Sequence, residues 1–230
     1  MAEAKQPASR KPRHPTPYGV LHFTRVGCNL LFSALHSMQV HGREYIPRKG
    51  PAVLMGNHES FLDQLLIIQL TFRPILFAAK EELFEVWNGY LFPRLNCIPV
   101  RRGTADMAMF RAAARHLKTG RLFGLFPEGT RSADGQIKAA QPGAIAIALW
   151  SGVPIIPIGI SGTHSVLPRQ GGYTRLPIGI EAGPPMTFPA ALRRTKVPKD
   201  EIELVGRSVM SEIARLKRRV EERLGVTDRD

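Results

Sequence analysis

Cysteine is nearly absent: Cys28 and Cys97 are the 2 thiols of a 230-residue chain. Two isolated thiols make neither a zinc-ligand pattern nor a disulfide framework, and the plain reading is buried free thiols in a reducing compartment. Aromatic residues reach only 7%. No basic-plus-aromatic platform for stacking bases is visible, which argues against nucleic acid as the partner. Long apolar runs are missing too. The nearest approach to a membrane span, residues 18–40, is interrupted by His22, Arg25 and His36, whereas a span needs about 20 mostly apolar residues. The basic stretch 1–14 leads into an interrupted apolar region without an obvious small-residue cleavage site, so a secretory signal is not expected. No Ser or Cys stands in a nucleophile elbow, which disfavours a covalent acyl-enzyme. Internal repeats and long low-complexity segments are absent as well.

What the chain has in excess is positive charge. Lys and Arg number 32 against 19 Asp and Glu, a formal net charge of +13. The first 50 residues carry 8 basic and 2 acidic side chains. With nucleic acid disfavoured, such a balance points to an anionic membrane or a phosphorylated substrate. An apolar content of 43% is ordinary for a folded domain of this length.

Residues 1–16 are polar and proline-bearing and read as a disordered basic tail. Residues 17–40 form a helical segment, with Val20, Leu21, Phe23, Val26, Leu30, Leu31, Leu35 and Met38 near one broad face. Two readings stay open: a helix packed on the core, or an interfacial helix dipping into lipid with Arg25 at the headgroups. Short apolar runs then alternate with helical stretches. Strands are expected at 52–56, 75–79, 97–100, 122–126, 153–160 and 178–183. Helices are expected at about 61–71, 82–91, 104–118 and 143–150, with a charged C-terminal helix over 200–224. Proline within 153–160 suggests an edge strand or a bulge. This alternation predicts a single α/β domain over 41–190, with a mostly parallel central sheet flanked by helices and followed by the C-terminal segment 191–230.

Sites in such folds sit past the carboxyl ends of strands. Asn57-His58-Glu59-Ser60-Phe61-Leu62-Asp63 follows one strand. Five helical steps would place His58 and Asp63 on different faces. The two meet only if His58 sits in the loop before a helix capped by Ser60, with Asp63 in the first turn. Asp63 would then fix the imidazole tautomer, leaving the other ring nitrogen to take a proton from a hydroxyl. Taken alone, the pair is weak evidence, and a capped helix beside a satisfied loop histidine is the better reading of it. Phe126-Pro127-Glu128-Gly129-Thr130-Arg131-Ser132 follows another strand. Gly129 admits close approach of backbone amides, Thr130 and Arg131 supply donors suited to phosphate, and Glu128 can accept from a glycerol-like hydroxyl. Lys80 and Arg101-Arg102 add positive charge after two further strands. A base beside an anion site suggests transfer to the hydroxyl of a phosphorylated acceptor.

The assembled pattern resembles the glycerophospholipid acyltransferases related to bacterial 1-acyl-glycerol-3-phosphate acyltransferase. Four blocks fall in the family's order: Asn57 to Asp63, Ile98-Pro99-Val100-Arg101-Arg102, Phe126 to Ser132, and the apolar Val153-Pro154-Ile155-Ile156-Pro157-Ile158. The resemblance covers roughly 38–185. One departure is Gln141, where many relatives carry Lys two positions before the glycine matching Gly143; Lys138 is out of register. The resemblance implies transfer of a fatty acyl group from acyl-CoA or acyl-carrier protein to 1-acyl-glycerol 3-phosphate, giving phosphatidic acid. Another acceptor, such as glycerol 3-phosphate or a different lysolipid, is the alternative within the family, and a non-enzymatic basic membrane-binding protein the alternative outside it. His58 and Asp63 would be catalytic. Lys80, Arg102, Glu128, Gly129, Thr130 and Arg131 would bind the acceptor, with no metal or bound cofactor. The expected setting is the cytoplasmic face of a membrane, held peripherally or monotopically on an anionic surface.

Overall fold

Short apolar runs, wholly buried in the strands at 52–56, 122–125, 155–161 and 179–182, set the sheet, and the helices between them cover its two faces. The computed structural model describes residues 18–80, 96–100, 107–168, 171–188 and 197–226. Helix α1 (Tyr18–His36) leads to strand β1 (Gln39–His41), a 3-10 turn (Arg43–Tyr45) and β2 (Ala52–Gly56). Helix α2 (Leu62–Ile67) runs into a second 3-10 turn (Ile68–Leu70), followed by β3 (Ile75–Lys80) and β4 (Cys97–Val100). Then come α3 (Met107–Lys118), β5 (Leu122–Leu125), α4 (Pro142–Ser151) and β6 (Ile155–Ser161). The short α5 (Thr163–Val166), β7 (Gly179–Ala182) and the long α6 (Lys199–Leu224) complete the described chain.

The strands form one seven-stranded sheet in the order β1-β7-β6-β2-β5-β3-β4. Every neighbouring pair is parallel except β6–β7. The side-chain alternation of a strand divides the core. Ala52 and Leu54 point to one face, where Phe32 of α1 and Leu66 and Ile67 of α2 pack. Val53 and Met55 point to the other, against Leu117 of α3, Ile145 of α4 and Val209 and Ile213 of α6.

Two expectations change. The strand at 153–160 is not at an edge: β6 is bonded to β2 on one side and β7 on the other, and is buried throughout. Its proline sits instead at a local shift. Ile158 pairs with Ala182, yet Ile155 bridges Met186, so the partner chain holds one extra residue across Pro157. That is the bulge alternative, with the missing N–H placed where the ladder slips. The N-terminal helix also ends sooner than expected. Ser37 takes a left-handed conformation, and the Gln39 amide then donates to Ile178 O, opening β1, a strand the hydropathy pattern did not reveal. The expected helix at 82–91 and the tail 1–16 lie outside the described residues.

Helix α1 packs on the core along one face and leaves an apolar row exposed on another. Phe32 is buried, and Gln69 binds the helix from below, donating to Arg25 O and accepting from Asn29 Nδ2. Phe23, Val26, Leu30 and Leu31 are 82%, 52%, 66% and 53% exposed. Arg25 does not join that exposed face: its guanidinium lies 3.5 Å over the Phe72 ring and donates to Gln69 O.

Helix α6 covers β6 with the buried series Val205, Val209, Ile213, Leu216 and Val220. It approaches so closely that a Cβ on Gly159 would meet Lys217 N at 2.3 Å and the Leu216 carbonyl carbon at 2.4 Å. Backbone atoms cannot yield as a side-chain tip can. Gly159→Ala should therefore cost about 1–3 kcal/mol, read as a lower urea midpoint with an unchanged slope; an unaltered midpoint would contradict this packing.

Candidate active site

Side chains after β2, β5 and β6 converge at the carboxyl ends of these parallel strands, as the fold class favours. Asn57 first extends β2 by its side chain: Nδ2 donates to Ile160 O at 2.9 Å, and Oδ1 accepts from Ile160 N at 2.8 Å. The amide imitates a strand residue and delivers His58 at the sheet's rim. His58 Nδ1 lies 2.8 Å from Asp63 Oδ2. The pair expected from the spacing is thus formed, with His58 in the loop and Asp63 in the first turn of α2. Asp63 is fully buried, and Oδ2 also accepts from the amides of Glu59 (2.7 Å) and Ser60 (2.8 Å). These bonds keep a buried carboxylate supplied with donors. The Ser60 cap is only half as expected. Asp63 reaches back to the Ser60 amide as in a capping box, but Ser60 Oγ donates to Leu167 O and only weakly approaches Leu62 N, at 3.4 Å.

The imidazole lies flat on Phe126, centroids 3.9 Å apart and planes 9° apart. With Nδ1 committed to Asp63, a neutral ring carries its proton there and presents Nε2 as the acceptor. Ring position is thus set on two sides, by a hydrogen bond and by a packed face.

The two motif loops are joined through the His58 peptide. Its N–H donates to Glu128 Oε1 at 3.0 Å, and its C=O accepts from Ser132 N at 2.7 Å. Glu128 Oε2 accepts from Lys138 N at 3.1 Å. Glu128 is buried, and burial raises its proton affinity, with the two backbone donors opposing. The expected hydroxyl acceptor is therefore engaged in holding the loops together. Gly129 takes φ +71°, and a Cβ there would come within 3.2 Å of Gln141 Cγ. Gln141, the departure noted above, thus packs on the loop itself and caps α4. Thr130 is half-buried. Arg131 holds its guanidinium 3.8 Å over the exposed Phe61 ring. Lys80 is the last residue of β3, at the same end of the sheet. Arg102 lies outside the described residues.

A second polar layer lies beneath the pair, and the sequence pattern did not signal it. Thr163 Oγ1 donates to Asp63 Oδ1 at 2.6 Å. Lys217, on a helix far along the chain, reaches buried Glu59 at 3.3 Å and also pairs with Glu221. Burial pushes the Glu59 carboxyl up from 4.5 to about 7; Lys217 pulls it down, and Asp63 pushes it further up. Lys217 is held above its ordinary value despite burial, by Glu59 and Glu221. Burial also raises both cysteine thiols, Cys97 to about 12.

A histidine–carboxylate base beside a cationic glycine loop, on the carboxyl edge of a parallel sheet, defines an α/β protein equipped for proton abstraction next to an anion. The Acyltransferase family model matches residues 37–161, and the chain belongs to that family. A 1-acyl-sn-glycerol-3-phosphate acyltransferase of Borreliella burgdorferi is 30% identical over 135 residues, 55% of this chain and 52% of that protein. The chloroplastic 1-acyl-sn-glycerol-3-phosphate acyltransferase LPAT1 of Arabidopsis thaliana is 28% identical over 152 residues, 64% of this chain and 42% of that protein. The chain thus spans about half the length of these relatives or less. The crystal structure of the 1-acyl-sn-glycerophosphate acyltransferase PlsC from Thermotoga maritima shares the fold, with a TM-score of 0.67 and 28% identity, covering 84% of this chain and 79% of that one.

The Glu59 shift has a testable sign. Between pH 4.5 and about 7 the folded protein retains a proton that the unfolded chain has lost. Unfolding free energy should then fall as pH rises through that window, by on the order of 3 kcal/mol. Glu59→Gln should flatten this slope in urea titrations run across the window; a variant with the wild-type slope would assign the proton elsewhere.

Proposed function

We propose that the protein is an acyltransferase that moves a fatty acyl group from an acyl thioester to the free hydroxyl of 1-acyl-glycerol 3-phosphate, giving phosphatidic acid. The observation that carries this reading is the 2.8 Å His58–Asp63 contact, locked by the His58 peptide to the loop that bears Arg131. His58 Nε2 takes the hydroxyl proton as the oxygen attacks the thioester carbonyl. Asp63 stabilises the resulting imidazolium. The tetrahedral intermediate collapses with loss of the thiolate, which recovers the proton from His58, so the products are the ester and a free thiol. Acyl-CoA and acyl-carrier protein both supply that chemistry.

Arg131 is the cation of the described loop placed to receive the acceptor's phosphate, and its position over Phe61 limits the side-chain freedom lost on binding. Lys80 and Arg102 are assigned to the same phosphate by the family pattern. Gln141, whose backbone amide donates to Pro127 O of the same loop, marks a departure from the family pattern that could bear on headgroup preference or on nothing.

The reading includes a peripheral or monotopic attachment to the cytoplasmic face of an anionic membrane, because the product is a lipid. No helix among the described residues is long and apolar enough to cross a membrane. Support for surface attachment comes from the exposed row Phe23, Val26, Leu30 and Leu31 on α1. Burial of each such side chain contributes about 1.5–3 kcal/mol, against about 1 kcal/mol per Lys or Arg near an anionic surface. Summed over the four apolar side chains and the 8 basic residues of the first 50, the two contributions are of the same order.

His58→Ala should still fold, at a lowered melting temperature because buried Asp63 loses one of its donors, and lose about 10²–10⁴-fold in transfer rate. Near-normal transfer by the folded variant would sink the mechanism. The same assay, run with glycerol 3-phosphate and other lysolipids under one acyl-CoA, identifies the acceptor; no transfer to any of them would favour a binding protein. Phe23→Ser combined with Leu30→Ser should weaken sedimentation with anionic vesicles, as should added salt in the wild type, and the two together should abolish it. Unchanged sedimentation of the double variant would remove α1 from the attachment.

A further inference from the structure

Thr163 opens α5 at the end of β6, beyond the residues matched by the family model. Its side chain is fully buried. Asp63 Oδ2 is shared by the imidazole and two backbone amides, whereas Oδ1 has Thr163 Oγ1 as its donor, at 2.6 Å. A carboxylate held at one oxygen can turn about its Cβ–Cγ bond. Held at both, it keeps Oδ2 against His58 Nδ1 as the ring gains charge.

The threonine has one hydroxyl proton and two carboxylates within reach, since Glu59 Oε2 lies 3.3 Å away. Glu59 is supplied from elsewhere. Oε1 has Asn57 Nδ2 at 3.2 Å and Lys217 Nζ at 3.3 Å, and Oε2 has the His164 amide at 3.3 Å. The proton is therefore left for Asp63, at the shorter distance.

We propose that Thr163 is a positioning residue of the His58–Asp63 pair, and that Lys217, acting on Glu59, keeps the Thr163 hydroxyl available to Asp63. The helix α6 thereby belongs to the catalytic apparatus although it contributes nothing to the acceptor loop. The proton of Thr163 stays on Oγ1 throughout, and no bond to it is made or broken in the reaction. This inference rests on the reading of His58 as the general base.

The test compares wild type, Thr163→Val, Thr163→Ser and His58→Ala as full chains, with acyl-CoA and 1-acyl-glycerol 3-phosphate. Val keeps the shape and removes the donor; Ser keeps the donor. Loss of a hydrogen bond to a charged group should lower kcat by about 10- to 100-fold in the Val variant. KM for the acceptor should stay within about twofold, because Thr163 does not touch it. Ser should recover most of kcat. Should Val fail to fold, Thr163→Cys carries the same comparison, its thiol fitting the space while donating weakly. A hydroxyl-free variant with wild-type kcat, or a Ser variant as impaired as Val, would overturn the positioning role while an inactive His58→Ala left the base assignment standing. An active His58→Ala would bring down both.

Discussion

A buried carboxylate with every oxygen accounted for is the constraint on which the rest of this structure depends. Asp63 is fully buried, and its solvation is supplied by an imidazole, two amides and a hydroxyl. Leaving such a group short of donors in an apolar interior would be far more costly than any single packing contact. The donors come from two places: the loop after β2, which supplies the imidazole and both amides, and the start of α5, which supplies the hydroxyl. The sheet order that brings β2 beside β6 is therefore also what keeps the charge tolerable. Fold and site are stabilised by the same bonds, and neither can be altered alone.

The sheet's two faces divide the work. On one, α1 and α2 close the core while α1 turns an uncharged row outward. On the other, α6 lies against Gly159 at backbone distance, which brings Lys217 within reach of Glu59. A bulkier residue under α6 would lift that ammonium away from the site. Close packing here is thus an electrostatic device as much as a volumetric one.

How much of this was legible beforehand follows from the range of each interaction. The His58–Asp63 contact spans five residues, and a loop-plus-first-turn arrangement is a local matter that the Ser60-to-Asp63 spacing encodes. The buried strands were readable because each is a continuous apolar run. β1 was not, being three residues long and half-exposed, with no period to detect. Proline in 153–160 left an edge and a bulge both open because a proline shows only that a donor is missing. A central strand can lose that donor where its ladder slips, and slippage is a property of the partner. Thr163 and Lys217 carried no signal, since a lone threonine after a strand and a lysine on a charged helix are commonplace. Their meaning comes from tertiary contacts spanning more than 90 residues in each case. Glu128 was legible as a polar residue of the loop, but the use made of it, holding two backbone amides, was not.

The stacking of His58 on Phe126 has a consequence for repetition. An imidazole clasped between an aromatic face and a carboxylate cannot turn over without losing both, so its two nitrogens never exchange identities. On the proposed reading of His58 as the base, every cycle would start from the same lone pair, pointing the same way. The phenylalanine would then serve as a detent: it does no chemistry, yet holds the ring in its starting notch.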